Sequence, residues 1–211
     1  MRNHLLIALI GLTMACQLRA EPPSAASLAP AIISVSDWGG SPPGQADPAP
    51  PGTHQITHIT LHHQGETFVP GSNVAEYLRR LQRWSRQSKH WTDIPYHYVV
   101  APDGRIYAAR EESVPGDTNT EYQPQGHALV MLLGNFEDVE PTPEQLQSMV
   151  ALMAWLARKH GLSAEDIASH RDFSSQTVCP GQHLYAYLQS GWLRAAVAAR
   201  LKGEPVPRPF E

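Results

Sequence analysis

Six apolar residues in a row, 128–133 (ALVMLL), stand between His127 and the turn signal Gly134-Asn135. A run of that length without polar alternation reads as a central strand buried on both faces. Such a strand needs a layer above and a layer below, and the flanking sequence supplies helices for both. Residues 72–89 place Val74, Tyr77, Leu78, Leu81 and Trp84 on one helical face and arginines on the other, which reads as a solvated surface. Thr142 caps a second helix, with Pro143 in its first turn and Gln145 in the capping-box position. Leu146, Met149, Val150, Met153, Leu156 and Ala157 form its buried stripe, and Gly161 stops it. Residues 182–201 are helical, with a break expected at Gly191.

The remaining strands are short. Residues 58–65 (HITLHHQG) alternate and end at Gly65, placing His58, Thr60 and His62 on one face and Leu61 and His63 on the other. Residues 94–110 (IPYHYVVAPDGRIYAAR) predict a hairpin turning at Asp103-Gly104. The alternation there gives Tyr96, Tyr98 and Val100 one face and His97 and Val99 the other. Residues 32–38 and 167–170 read as two further short strands, and 39–52 and 111–126 as irregular, turn-rich segments. Strands interleaved with helices predict an α/β fold in a single domain, a central mixed β-sheet flanked by helices, over 32–202. The Pro/Ala/Ser-rich stretch 21–31 reads as a linker and 203–211 as a flexible tail.

The chain of 211 residues opens with MRNHLLIALIGLTMACQLRA: a basic start, an apolar run over 5–15 and a small residue at Ala20. That is the pattern of a secretory signal peptide over 1–20, leaving Glu21 as the mature start. The competing reading is lipoprotein processing at Cys16, and only that route would tether the protein to a membrane. A formal charge of −4 and the lack of a long Lys/Arg run speak against a nucleic-acid partner. A monomer, periplasmic or secreted, is expected.

Removing the leader leaves Cys179 as the only thiol. An odd cysteine in an exported protein calls for an explanation. Cys179 closes the stretch 169–181 (SHRDFSSQTVCPG), which also holds His170. Imidazole and thiolate are preferred zinc ligands, and their separation requires a loop to bring them together. On this stretch alone, an exposed histidine and a buried cysteine in an ordinary loop explain the pattern equally well. Adding His62 makes three ligands, the count of a catalytic zinc with its fourth position open to water. Lone roles are bland elsewhere: His63 packs or supports His62, His97 is a satisfied histidine behind the sheet, and His54, His90, His160 and His183 are surface residues. His127 is left between surface and groove, and Trp38 and Trp91 between packing and stacking on sugar rings.

The segments SVSDWGG, THITLHHQGE, IPYHYVVAPDGRIYAAR, ALVMLLGNF and SHRDFSSQTVCPG occur in the order and spacing of one known family. The chain resembles the zinc-dependent N-acetylmuramoyl-L-alanine amidases, and among them the peptidoglycan recognition proteins and related phage amidases. The resemblance implies a groove that holds peptidoglycan, a Zn²⁺ cofactor held by His62, His170 and Cys179, and Tyr96 and Thr177 as catalytic residues beside the metal. It implies hydrolysis of the amide between N-acetylmuramic acid and L-Ala. Its alternative is a member of the same fold that binds peptidoglycan without cutting it; such members typically lack the cysteine that is present here. The family usually has one residue fewer between histidine and cysteine, so a bulge is expected over 173–178. Its glutamate-bearing branch is not matched, because 128–133 is wholly apolar.

Overall fold

A computed structural model describes residues 21–42, 54–69 and 71–209. The expected leader, Cys16 and most of the loop 39–52 lie outside the described residues. Six strands form one mixed sheet: β1 (Ile32–Ile33), β2 (His58–His63), β3 (Tyr98–Val100), β4 (Ile106–Ala108), β5 (His127–Leu132) and β6 (Ile167–Ser169), in the order β1-β4-β3-β5-β2-β6. The apolar run lies in β5, which runs parallel to β2 on one side and β3 on the other, every residue buried. The antiparallel pair is the β3–β4 hairpin.

Helices cover both faces: α1 (Ala25–Leu28), α2 (Val74–Gln87), α3 (Pro143–His160), α4 (His170–Phe173), α5 (Gln182–Gln189) and α6 (Trp192–Lys202). Alternation along the strands divides the core into two layers. Leu61, Val100, Val130 and Leu132 pack with α3, α5 and α6. Val99, Met131 and Leu133 pack with Val74 and Leu78 of α2. In α3, Thr142 and Gln145 form the capping box and Gly161 closes the helix at φ 68°. The predicted stripe of α3 is buried throughout, and Gly191 does separate α5 from α6.

Several expectations need correction. Along α2 the buried line is Val74, Leu78, Gln82 and Ser85, while Trp84 is 44% exposed. Tyr77, Leu81 and Trp84 instead line a groove beside the helix. Two of its arginines are not simply solvated. Arg79 donates to the Trp38 carbonyl at 2.8 Å, and Arg86 pairs with Asp93 at 2.9 Å. Trp38 itself is buried, its indole N–H donating to the Ala108 carbonyl, so it does not stack on a ligand. Tyr96 does not share a face with Tyr98 and Val100, because the ladder begins only at Tyr98; Tyr96 packs on the α2 side. His170 does not extend β6 but begins α4. The stretch 21–31 contains α1, whose Leu28 is buried and whose turn packs on α3. In the tail, the Pro207 carbonyl accepts the Trp192 indole N–H at 3.0 Å.

Candidate metal centre and groove

β2 and β6 are parallel neighbours with Leu61 opposite Ser169. The end of β2 therefore lies beside the start of α4, which brings His62 to His170; their ring centroids are 4.8 Å apart. Asp172 accepts both the N–H and the O–H of Ser169 at 2.7 Å, fixing the first turn of α4. After α4 the chain loops out and returns. The Arg171 N–H donates to the Cys179 carbonyl at 2.9 Å, closing the loop at its base. Glu121 accepts the Ser174 O–H at 2.6 Å and the Ser175 N–H at 3.2 Å, holding the outer part. Gly181 then passes against the backbone at φ 87°, where a Cβ would stand 2.4 Å from the Phe136 carbonyl carbon. Only glycine fits there.

His62, His170 and Cys179 offer donor atoms within 4.8 Å of one another. Cys179 Sγ lies 3.6 Å from His62 Nδ1. Metal–sulfur and metal–nitrogen bonds of about 2.3 and 2.1 Å around a tetrahedral zinc span an edge of about 3.5 Å, so these two atoms stand at a ligand-to-ligand distance. The electrostatics agree. Burial, and then the neighbouring His170, hold His62 well below the usual histidine pKa, so it is a neutral lone-pair donor. Burial also lowers His170. It pushes the Cys179 thiol up to about 12, only partly offset by the His63 N–H that donates to Sγ at 3.4 Å. Among the described residues no cationic side chain supports a thiolate here, so a bound metal ion is what would ionise it. The other nitrogen of His62, Nε2, is buried without a hydrogen-bond partner.

Tyr96 is half-buried, its ring centroid 5.2 Å from that of His62. Burial, and then Cys179, raise its phenol far above the usual tyrosine pKa, so it remains a proton donor. Thr177 accepts the Cys179 N–H at 3.1 Å, which places its hydroxyl at the base of the cysteine. Tyr96 also lines a groove of about 580 Å³ along α2, with Phe68, Tyr77, Leu81, Trp84 and Trp91. Trp84 and Trp91 meet edge to face at 5.8 Å, and the Lys89 ammonium lies 5.6 and 5.3 Å from their ring centroids.

Most of the other described histidines have partners in the fold. His63 Nδ1 accepts the Phe136 N–H at 3.3 Å, and His97 Nδ1 accepts the Leu129 N–H at 2.8 Å. His127 is buried, 2.8 Å from the Thr60 hydroxyl and stacked on His58. His54 and His160 are half-buried rather than on the surface, His54 receiving the Gly126 N–H and His160 paired with Glu112. Sequence reasoning missed the segment 111–126. It carries Thr118 and Thr120 onto His170, Glu121 onto the cysteine loop, and Tyr122 against both His62 and His170. Its lack of periodicity gave no signal beyond an accumulation of polar residues.

Fold and site together define an α/β protein in which two histidines and a cysteine converge at the end of a sheet strand, in an arrangement that could hold a metal ion, beside an aromatic groove. Residues 52–182 match the family model described as N-acetylmuramoyl-L-alanine amidase (Amidase_2), and the chain belongs to that family. It is 25% identical over 188 residues to peptidoglycan recognition protein 1 of Mus musculus, covering 88% of this chain and 93% of that one. It is 27% identical over 168 residues to the N-acetylmuramoyl-L-alanine amidase of Homo sapiens, covering 71% of this chain and 28% of that protein. The crystal structure of Drosophila peptidoglycan recognition protein SD superposes with a TM-score of 0.64 at 24% identity, over 75% of this chain and 93% of that chain.

Proposed function

We propose that the protein is an exported, zinc-dependent N-acetylmuramoyl-L-alanine amidase that hydrolyses the amide between N-acetylmuramic acid and L-Ala of peptidoglycan. The observation that carries this reading is the convergence of His62, His170 and Cys179 from three separate segments, with a protonated Tyr96 beside them. A set of two neutral imidazoles and one sulfur suits zinc. Zinc held there would supply the Lewis acidity that brings water towards a neutral pKa and polarises an amide carbonyl.

The chain's own residues do the rest. His62 and His170 stay neutral and keep their lone pairs. Cys179 carries a negative charge only when its proton is displaced, so loading the site releases a proton. Tyr96 donates to the oxygen that gains charge as the carbonyl becomes tetrahedral; a donor aimed at developing charge acts mainly on the transition state. Thr177 holds the Cys179 backbone and orients the sulfur or the scissile group. The groove along α2 receives the glycan and stem peptide and positions the amide against Tyr96. Export rests on residues 1–20. No described helix is long and apolar enough to cross a membrane.

The test is digestion of purified sacculi followed by mass spectrometry. Free stem peptides beginning at L-Ala are expected. Muropeptides that keep their peptides attached, with the protein still retained on sacculi in the presence of zinc, would replace catalysis by binding.

A further inference from the structure

Among the described residues, the hydrogen bonds of the His170 ring are made by Nε2. Nε2 lies 2.8 Å from Thr120 Oγ1 and 3.5 Å from Thr118 Oγ1. The two hydroxyls are themselves joined at 2.9 Å, and the Thr120 N–H donates to Thr118 Oγ1 at 3.1 Å. This is a short relay built within three consecutive residues, and it occupies Nε2, so Nδ1 is the nitrogen left to hold a metal. A histidine that ligates through Nδ1 must carry its proton on Nε2, and that proton needs an acceptor held in place.

We propose that Thr120, backed by Thr118, is a positioning residue that fixes the Nε2–H tautomer and ring angle of His170, and so presents the Nδ1 lone pair to the metal. The Nε2–H donates to Thr120 Oγ1, and the Thr120 O–H in turn donates to Thr118 Oγ1. Thr120 touches neither substrate nor metal; it acts through His170. The segment is placed independently of the site. At its start Glu112 accepts from Tyr98 and binds Lys159 at 2.9 Å, and Arg110 pairs with Asp117. At its far end Glu121 holds the cysteine loop. A hydroxyl on a segment anchored on both sides restricts ring rotation in a way that a mobile water does not.

This inference rests on the zinc reading above, and the experiment separates the two. Zinc affinity is measured by competition with a chromophoric chelator, with zinc chloride as the only ligand, for wild type, Thr120→Val and Thr120→Ser. Thr120→Val keeps the shape and loses the acceptor; a fall in affinity of about 10–100-fold is expected, the usual loss when a ligand histidine's outer hydrogen bond is removed. Thr120→Ser restores the hydroxyl and should recover most of that affinity. In the zinc-loaded protein, ¹⁵N–¹H correlation spectra should show a slowly exchanging His170 Nε2–H in wild type and Thr120→Ser, and its loss in Thr120→Val. Wild-type zinc binding with an unchanged Thr120→Val affinity and an unchanged Nε2–H signal would overturn the positioning role alone. A wild type that binds no zinc would overturn both readings.

Discussion

At the scale of single residues, variants of Cys179 and Tyr96 test, on the proposed reading, holding a metal separately from using it. Cys179→Ser exchanges a soft sulfur for a hydroxyl that stays protonated near neutral pH. Zinc per chain, read by elemental analysis, should fall from about one towards zero, and amidase turnover should be lost with it. The circular dichroism spectrum should be retained, because Cys179 belongs to neither of the two core layers. A Cys179→Ser protein with one tightly held zinc and normal turnover would put the third ligand elsewhere. Tyr96→Phe removes one donor and leaves the ligand set intact. It should keep its zinc and lose about 10²–10³ in kcat, the cost of one donor at a developing oxyanion. An unchanged kcat would remove Tyr96 from the chemistry.

At the scale of elements, the caps make the clearest prediction. Thr142 Oγ1 accepts the Gln145 N–H at 3.0 Å, and the Gln145 side chain returns to the Thr142 N–H. Thr142→Ala leaves that first-turn donor without its acceptor and should cost about 1 kcal/mol, read as a lower urea midpoint at unchanged slope. This helix, the Gly191 break and the apolar strand were all legible in the sequence, because each depends on local periodicity or on a stop residue. His62, His170 and Cys179 stood out in the sequence because ligand chemistry restricts residue type, and the structure brings their donor atoms within 4.8 Å of one another. Elements governed by tertiary contact were not legible. Trp84 has the spacing of a core residue, yet α2 turns it into the groove while Gln82 and Ser85 take the buried positions. Gln82 does so by bonding Asp93 and the Ser41 backbone, partners far away or non-periodic in sequence. Tyr96 was assigned to the wrong face because strand alternation was extended two residues beyond the first ladder pair. The role of 111–126 was invisible because a threonine on an irregular segment has no pattern until its partner is known.

At the scale of the whole molecule, buried histidines tie stability to pH. His97 and His127 have pKa values lowered to about 4, chiefly by burial. In His97 the nitrogen that would be protonated already accepts the Leu129 N–H. The unfolded chain takes up these protons near pH 6.5, so between about 6.5 and 4 it binds more protons than the folded one. Stability is therefore complete above about pH 6.5 and declines as the pH falls towards 4, at up to about 1.4 kcal/mol per pH unit for each group. Urea unfolding of zinc-free protein between pH 7.5 and 4.5 should show this slope. A flat profile down to pH 5 would mean that these rings are protonated without cost in the fold.

The three candidate ligands come from positions 62, 170 and 179, and the first lies beside the others through the pairing of β2 with β6. No shorter stretch of the chain contains more than two of them. A growing polypeptide thus has no complete set until residue 179 has been synthesised and its distant segments have closed the sheet. Contacts this far apart in sequence form late, since loop-closure entropy must be overcome first. On the proposed reading, a chain that would act on a structural polymer is in this way kept chemically silent during translation simply by the order in which its residues are joined.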